Sequence, residues 1–346
     1  LARLGTPEKS ENRAHLPIPL GRIAHRTDDP CVRALTIDNE RAAIREDVPS
    51  PELREGWALV RPSSVLITPN DLGSSSELRI PGRRFVGIVE QCEDPDLVGT
   101  RVVGESDLVD PDSELARRGL ARHDPSRRVL GSSEAPGCLA DLVAIPLSNL
   151  CVVPGVIDDE YAVLAGELSA ALHVARLERV ANKTYVSVIG ADLLALLCAQ
   201  LMTSQNASVR LVTTNASRLE LCAKWGIRHR DLDHVGRRAD QDIVIDTSTE
   251  PGSLETALRM TRPRGAIILC DSGSPIGSAE LDLVAQRELR ILGSRAGPIS
   301  DGIRALTSGT LDLSGLVTKR VRFDDLPTEL HVLRDPDQIS ILVRMD

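Results

Sequence analysis

A two-part α/β chain is predicted by three features: its length, a change of residue pattern near Val152, and continuous apolar strands beyond that point. At about 100–200 residues per domain, 346 residues make two domains with at least one full core. Before Val152 the pattern is short strands and turns; after it, strands and helices alternate. Apolar strands separated by helices need a parallel sheet covered on both faces. Right-handed crossovers then make that sheet a doubly wound, Rossmann-type layer.

Residues 1–31 are polar, Pro-containing and aperiodic, and read as a flexible arm. Val32–Ile37, Trp57–Val60 and Phe85–Glu90 are short strands, and Val98–Gly104 carries glycines toward both ends, as bent β segments do. Residues 106–130 hold five acidic and five basic groups plus His123 without a strand pattern, which predicts a solvated lobe. Asp158–Arg179 has helical periodicity. Then follow strand Tyr185–Ile189, Gly190, helix Leu193–Met202, strand Val209–Thr213 and helix Ser217–Trp225, ended by Gly226. Strand Asp242–Asp246, helix Ser253–Thr261, strand Ala266–Cys270 and strand Leu289–Gly293 complete the alternation. His229, His234, Asp231 and Asp233 read as a solvated loop.

Composition excludes several function classes. Aromatic residues are 2% of the chain, too few for the stacking platforms of single-stranded nucleic acid binding. The formal charge of −9 opposes a whole-protein grip on phosphate backbones, so no nucleic-acid partner is expected. No apolar run reaches the roughly 18–20 residues of a membrane helix, and residues 1–30 lack the apolar centre of a signal peptide. Seven dispersed cysteines read as reduced thiols of a cytoplasmic protein, with no Cys-x-x-Cys metal knuckle.

Four segments carry a resemblance. Ile80-Pro-Gly-Arg-Arg-Phe-Val-Gly-Ile-Val89 is similar to P-G-H-E-F-V-G-V-V, Val98-Gly-Thr-Arg-Val-Val-Gly104 to V-G-D-R-V-V-G, and Gly137-Cys-Leu-Ala-Asp-Leu-Val143 to G-A-F-A-E-Y-V; Ile291-Leu-Gly-Ser-Arg295 resembles a last Rossmann strand and turn. Together, from about Val32 to the C-terminus, they resemble the medium-chain dehydrogenase/reductase superfamily, particularly its zinc-dependent alcohol, sorbitol and threonine dehydrogenases. The resemblance implies a GroES-like β-rich catalytic domain over 32–151 completed by 299–346, a Rossmann domain over 152–298, and a cleft between them. It also implies a homodimer, paired through the edge strand near Leu289–Gly293.

At the positions of the family's catalytic zinc ligands this chain has Thr68, Arg83 and Gly166, with Glu167 offered by a one-residue slip. Zinc needs Cys, His or carboxylate donors and an open position, which Thr, Arg and Gly do not supply. Asn70 replaces the proton-relaying hydroxyl, and Asp71 stands where an acid supports the ligating His. An Arg83–Asp71 ion pair is therefore expected, either neutralising a buried acid or aiming a guanidinium at an anionic or carbonyl oxygen. The structural-zinc positions read Asp110, Ser113, Ala116 and Asp124, without a thiolate.

The family's G-x-G-x-x-G appears as Gly190-Ala-Asp192-Leu-Leu-Ala195, and the ribose-binding acid falls at Thr213. Asp192 either repels a diphosphate or turns aside to cap the following helix. Arg218 reads as a helix-surface charge, with a 2′-phosphate as its alternative ligand. Acid–base candidates for the cleft are Arg83, Asp71, Glu167 and His173, with His173 read more readily as a packing residue than as a catalyst; Arg295 borders the cleft. The reading favoured is a zinc-free, degenerate dehydrogenase fold that binds a small metabolite, with no cofactor, as a non-redox enzyme or a binder. Its alternatives are a zinc-independent NAD(P)H-dependent oxidoreductase, weakly pointing to NADP, and a non-catalytic partner subunit.

Overall fold

The computed structural model describes residues 30–38, 41–72, 78–181, 183–236, 238–270 and 278–346. The arm expected over 1–31 lies outside them except for its last two residues, and Cys31 opens a strand.

In the first half, β1 (Cys31–Asp38) and β2 (Arg41–Pro49) pair antiparallel. Next come β3 (Trp57–Ile67), α1 (Pro69–Leu72), β4 (Arg84–Cys92), β5 (Arg101–Gly104) and β6 (Asp107–Leu108). Then α2 (Glu114–Arg117), β7 (Arg128–Val129), β8 (Val143–Pro146) and β9 (Leu150–Val152) complete that half. Two short helices follow, α3 (Asp159–Ala162) and the longer α4 (Ala165–Leu177), where one helix was expected.

The second half runs β10 (Tyr185–Ile189), α5 (Leu193–Ser204), β11 (Ser208–Thr213), α6 (Ala216–Lys224), β12 (Arg228–Asp231) and β13 (Gln241–Asp246). It continues with α7 (Ser253–Met260), β14 (Thr261–Leu269), α8 (Ser278–Arg287) and β15 (Arg290–Gly293). After these come α9 (Ile299–Ser308), β16 (Lys319–Arg322), α10 (Leu326–Glu329) and β17 (Ile341–Arg344).

Two large sheets result. One is parallel, ordered β12-β11-β10-β13-β14-β15. Its strand order reverses at β10, so the crevice beyond the carboxyl ends of β10 and β13 is a ligand position by topology alone. Val186, Val188, Leu211, Ile243 and Ile245 are buried with the apolar residues of α4 and α5, as a doubly covered sheet requires. The other sheet is ordered β16-β17-β3-β4-β5-β9, with β8 beside β3, and encloses a separate core around Phe85, Val60 and Phe323. The C-terminal strands thus return to the first half, and β17 pairs with β3.

Two local expectations change. Residues 228–231 form edge strand β12, not a loop, although their side chains are largely exposed, because an edge strand needs pairing on one side only. Residues 106–130 include the β6–β7 ladder over a buried Leu108, a pair too short to show alternation in sequence.

Candidate functional site

Between the two sheets lies a cleft of about 1220 Å³ lined by Asn70, Arg83, Arg84 and Glu167 on one side and Asp192, Thr247 and Cys270 on the other. A second cavity of about 260 Å³ reaches toward Glu105, Asp107 and Ser169, and shares Arg83, Arg84, Glu167, Leu194 and Arg295 with the first. The shared wall is an ionic chain.

Asp71 is its anchor, with a side chain 5% exposed. The last residue of β3 delivers Thr68 into the tight turn of α1, where the Thr68 amide and hydroxyl donate to Asp71 Oδ2 at 2.8 and 2.9 Å. Arg83 Nε donates to Asp71 Oδ1 at 2.9 Å, and Arg84 Nη1 to Asp71 Oδ2 at 2.8 Å. On its far side Arg84 Nε donates to Glu167 Oε1 at 2.5 Å, and Arg84 Nη2 contacts the same oxygen. The order is therefore Arg83–Asp71–Arg84–Glu167. Burial works to raise the Asp71 pKa, but the charges of Arg84 and Arg83 and the Thr68 amide outweigh it and hold the carboxyl below its usual range. Burial opposes the charge of Arg84, yet Glu167 and Asp71 together raise its pKa.

The expected Arg83–Asp71 pair is present. Arg84 is the residue that sequence reasoning passed over, and it holds the centre. Its signal was a positive charge where the resembling motif has glutamate, beside a strand of buried apolar residues that demands a partner for any ion. Gly137 fixes the segment in place: a Cβ there would come within 2.2 Å of the Pro81 carbonyl oxygen, so Pro81–Arg84 is pressed onto glycine backbone.

These residues do not fit a zinc ion. Thr68 is engaged by Asp71, Arg83 carries a positive charge, Gly166 has no donor, and Glu167 is paired with Arg84. Among the described residues no group of three His, Cys, Asp or Glu side chains is placed to hold a metal. The other metal positions have hydrogen bonds of their own. Ser113 Oγ accepts from the Ala116 amide at 3.1 Å and caps α2, and hydrogen bonds from Ser113 and Ser126 lower the Asp124 pKa.

His173 does not join the cluster. Six positions along α4 leave it about 120° around the helix from Glu167, and its Cβ packs beside Gly297 instead of lining the cleft. Burial, then the nearby Arg122 and Arg176, push its pKa down.

At the dinucleotide turn Gly190 has φ +146°, and a Cβ there would meet the Thr247 hydroxyl at 2.2 Å. Asp192 does not project toward a diphosphate. It is the N-cap of α5, its Oδ1 accepting from the Ala195 amide at 2.9 Å and from the Thr247 hydroxyl at 2.7 Å. Burial pushes its carboxyl up to about 6, against the pull of those two donors. Asp246, at the end of β13, is also pushed up to about 6 by burial. Thr213 is buried and neutral, accepting from the Asn215 amide at 3.2 Å. Arg218 is 3% exposed, not a surface charge, because its guanidinium is satisfied by backbone oxygens. A dinucleotide held in the ordinary way does not fit: one helix amide is taken by Asp192, and the ribose corner offers neither an acid nor an available arginine.

Comparison with known proteins supplies the family. No family model matches the chain. A zinc-type alcohol dehydrogenase-like protein of Haemophilus influenzae is 25% identical over 332 residues, covering 88% of this chain and 95% of that protein. An L-threonine 3-dehydrogenase of Chelativorans is 25% identical over 332 residues, covering 88% and 96%. The alcohol dehydrogenase of Thermus sp. ATN1 superimposes with a TM-score of 0.81 at 24% identity, covering 91% of this chain and 100% of that one. An Escherichia coli alcohol dehydrogenase solved with NADH gives a TM-score of 0.82 at 19% identity, covering 91% and 99%. With the doubly wound sheet, the β-rich partner domain and the cleft between them, these likenesses place the chain in the medium-chain dehydrogenase/reductase superfamily.

Proposed function

We propose that the chain is a zinc-independent member of its superfamily that binds a small metabolite through an anionic or carbonyl oxygen and acts on it, if at all, by proton transfer. One observation carries this reading: the Arg83–Asp71–Arg84–Glu167 chain spans the position of the catalytic metal. Arg83 is fastened by Nε alone, and among the described residues neither of its Nη nitrogens meets an acceptor. A planar fork held from behind and partly exposed is suited to grip a carboxylate, phosphate or polarised carbonyl. Asp192 lines the same cleft with a pKa of about 6, where a carboxyl gives and takes protons near neutrality. Glu167 and Asp71 position the arginines.

The test is a metal assay on purified protein with calorimetric titration of oxalate, pyruvate and inorganic phosphate. The reading expects no stoichiometric zinc, sub-millimolar binding of at least one of these, and at least tenfold weaker binding in Arg83→Ala with little change in Tm. Stoichiometric zinc, no binding, or equal binding by Arg83→Ala overturns it.

A second reading is a zinc-free NAD(P)H-dependent reductase. It is favoured by the retained Gly190 turn and by the fold neighbour solved with NADH. Its mark is tight NADPH binding, strengthened by Asp192→Gly. In either reading β15 is an edge of the parallel sheet, available to pair with a second copy.

A further inference from the structure

The corner of the fold that reads a coenzyme's adenosine ribose is the turn after the second strand of the parallel sheet. Here that turn joins β11 to α6 and carries Thr213, Asn215 and Arg218. Arg218 meets backbone oxygens on three sides. Its Nε donates to the Ala191 carbonyl at 2.8 Å, inside the turn that follows Gly190. Its Nη1 donates to the Asp337 carbonyl at 2.9 Å and the Ser217 hydroxyl at 3.0 Å. Its Nη2 donates to the carbonyls of Pro336 at 3.2 Å and Gln338 at 2.8 Å. Asn215 Nδ2 adds a bond to the Pro336 carbonyl at 2.8 Å, while Asn215 Oδ1 caps α6.

We propose that residues 336–338 are a built-in occupant of the adenosine corner, latched by Arg218 and Asn215, so that the open cleft accepts a ligand no longer than a mononucleotide. The side chains that would read a ribose or its 2′-phosphate are spent on the chain's own carbonyls. A second observation agrees: the cleft runs from Arg83 and Glu167 to Asp192, Thr247 and Cys270, and none of residues 213–218 lines it. The latch also sits just before β17, whose pairing with β16 and β3 anchors the segment on its C-terminal side. The proposal stands apart from oxyanion binding at Arg83, which is at the other end of the cleft.

The test titrates wild-type protein with 5′-AMP, NADP⁺ and nicotinamide mononucleotide by calorimetry and follows amide exchange across 334–340. Expected are no binding of 5′-AMP or NADP⁺ at 1 mM and slow exchange in that segment, unaltered by either nucleotide. Asn215→Ala, which removes one latch bond and leaves Arg218, should speed exchange there several-fold. Arg218→Lys should speed it further, since one ammonium cannot serve five acceptors on three sides. Binding of NADP⁺ with a Kd below 100 μM, or displacement of the segment by nucleotide, overturns the latch. So does unchanged exchange in both variants. Binding of nicotinamide mononucleotide supports the length limit, and failure of every nucleotide to bind together with faster exchange in both variants supports the latch and restricts the cleft to smaller metabolites; neither result bears on the zinc assay or the Arg83 titration.

Discussion

The Arg84 corner and the turn after β10 each place one of the chain's own charged side chains among groups of opposite charge. At the metal corner a guanidinium, Arg84, lies between Asp71 and Glu167. At the turn a carboxylate, Asp192, caps the helix N-terminus that a diphosphate would otherwise approach. One corner surrounds a cation with acids; the other presents helix amides to an anion. The comparison teaches that a buried charge of either sign is held where groups of the opposite sign already converge.

The two corners differ in strength. Arg84 makes charge-assisted bonds to two acids, so removing it strands Glu167 and leaves the buried Asp71 to Arg83 and Thr68 alone. Arg84→Met should therefore cost about 3–5 kcal/mol and lower Tm by roughly 10 °C. Adding Asp71→Asn and Glu167→Gln to that variant should recover much of the loss. Thermal unfolding of the single and triple variants decides it, and an Arg84→Met protein as stable as wild type would break the comparison at its stronger end.

Asp192 is held in a less favourable balance. With its folded pKa raised to about 6, the native state binds the proton more tightly than the unfolded chain does. Stability from this group is present below pH 4 and falls as pH rises through 6, by at most about 3 kcal/mol for a shift of two units. Asp192→Asn keeps a capping oxygen without the charge. It should raise Tm at pH 8 by a few degrees and make no difference near pH 4. Asp71 has the opposite sign: its lowered pKa contributes stability that is lost as acid protonates it. Unfolding curves at pH 2, 3, 4, 6 and 8 separate the two groups, because the Asp192 contribution changes between about pH 4 and 8 and that of Asp71 only below about pH 4.

The smallest effect belongs to the 106–130 lobe, where Ser113 both caps α2 and reaches Asp124. Ser113→Ala should cost about 1 kcal/mol and speed amide exchange across residues 110–126, leaving the cleft untouched. A global loss instead would make this lobe part of the main folding unit.

How much of this was legible in the sequence depends on the range of the interaction. The continuous apolar runs of β10, β11 and β13 announce a covered parallel sheet because their neighbours are helices a short way along the chain. Asp71 and Arg83 were legible as a pair because a motif fixed their positions. Arg84 was not, since attention to ligand positions passes over the residue between them and the helix beyond. The capping role of Asp192 was one of two readings, and only the positions of Ala195 and Thr247 select it. The latch had no signature at all: Arg218 lies 118–120 residues from the carbonyls of 336–338, and backbone oxygens leave no trace in residue identity. His173, read more readily as packing, packs beside Gly297, since sharing a helix with Glu167 does not give it the same face.

Arg84 also belongs to β4 of the β-rich sheet, whereas Glu167 rides on α4, packed with the strands of the parallel sheet. A swing of one lobe against the other must pull this pair apart in a nearly dry setting. The Arg84–Glu167 pair therefore ties the two lobes together at the base of the cleft, and a swing that opened the cleft there would have to break it.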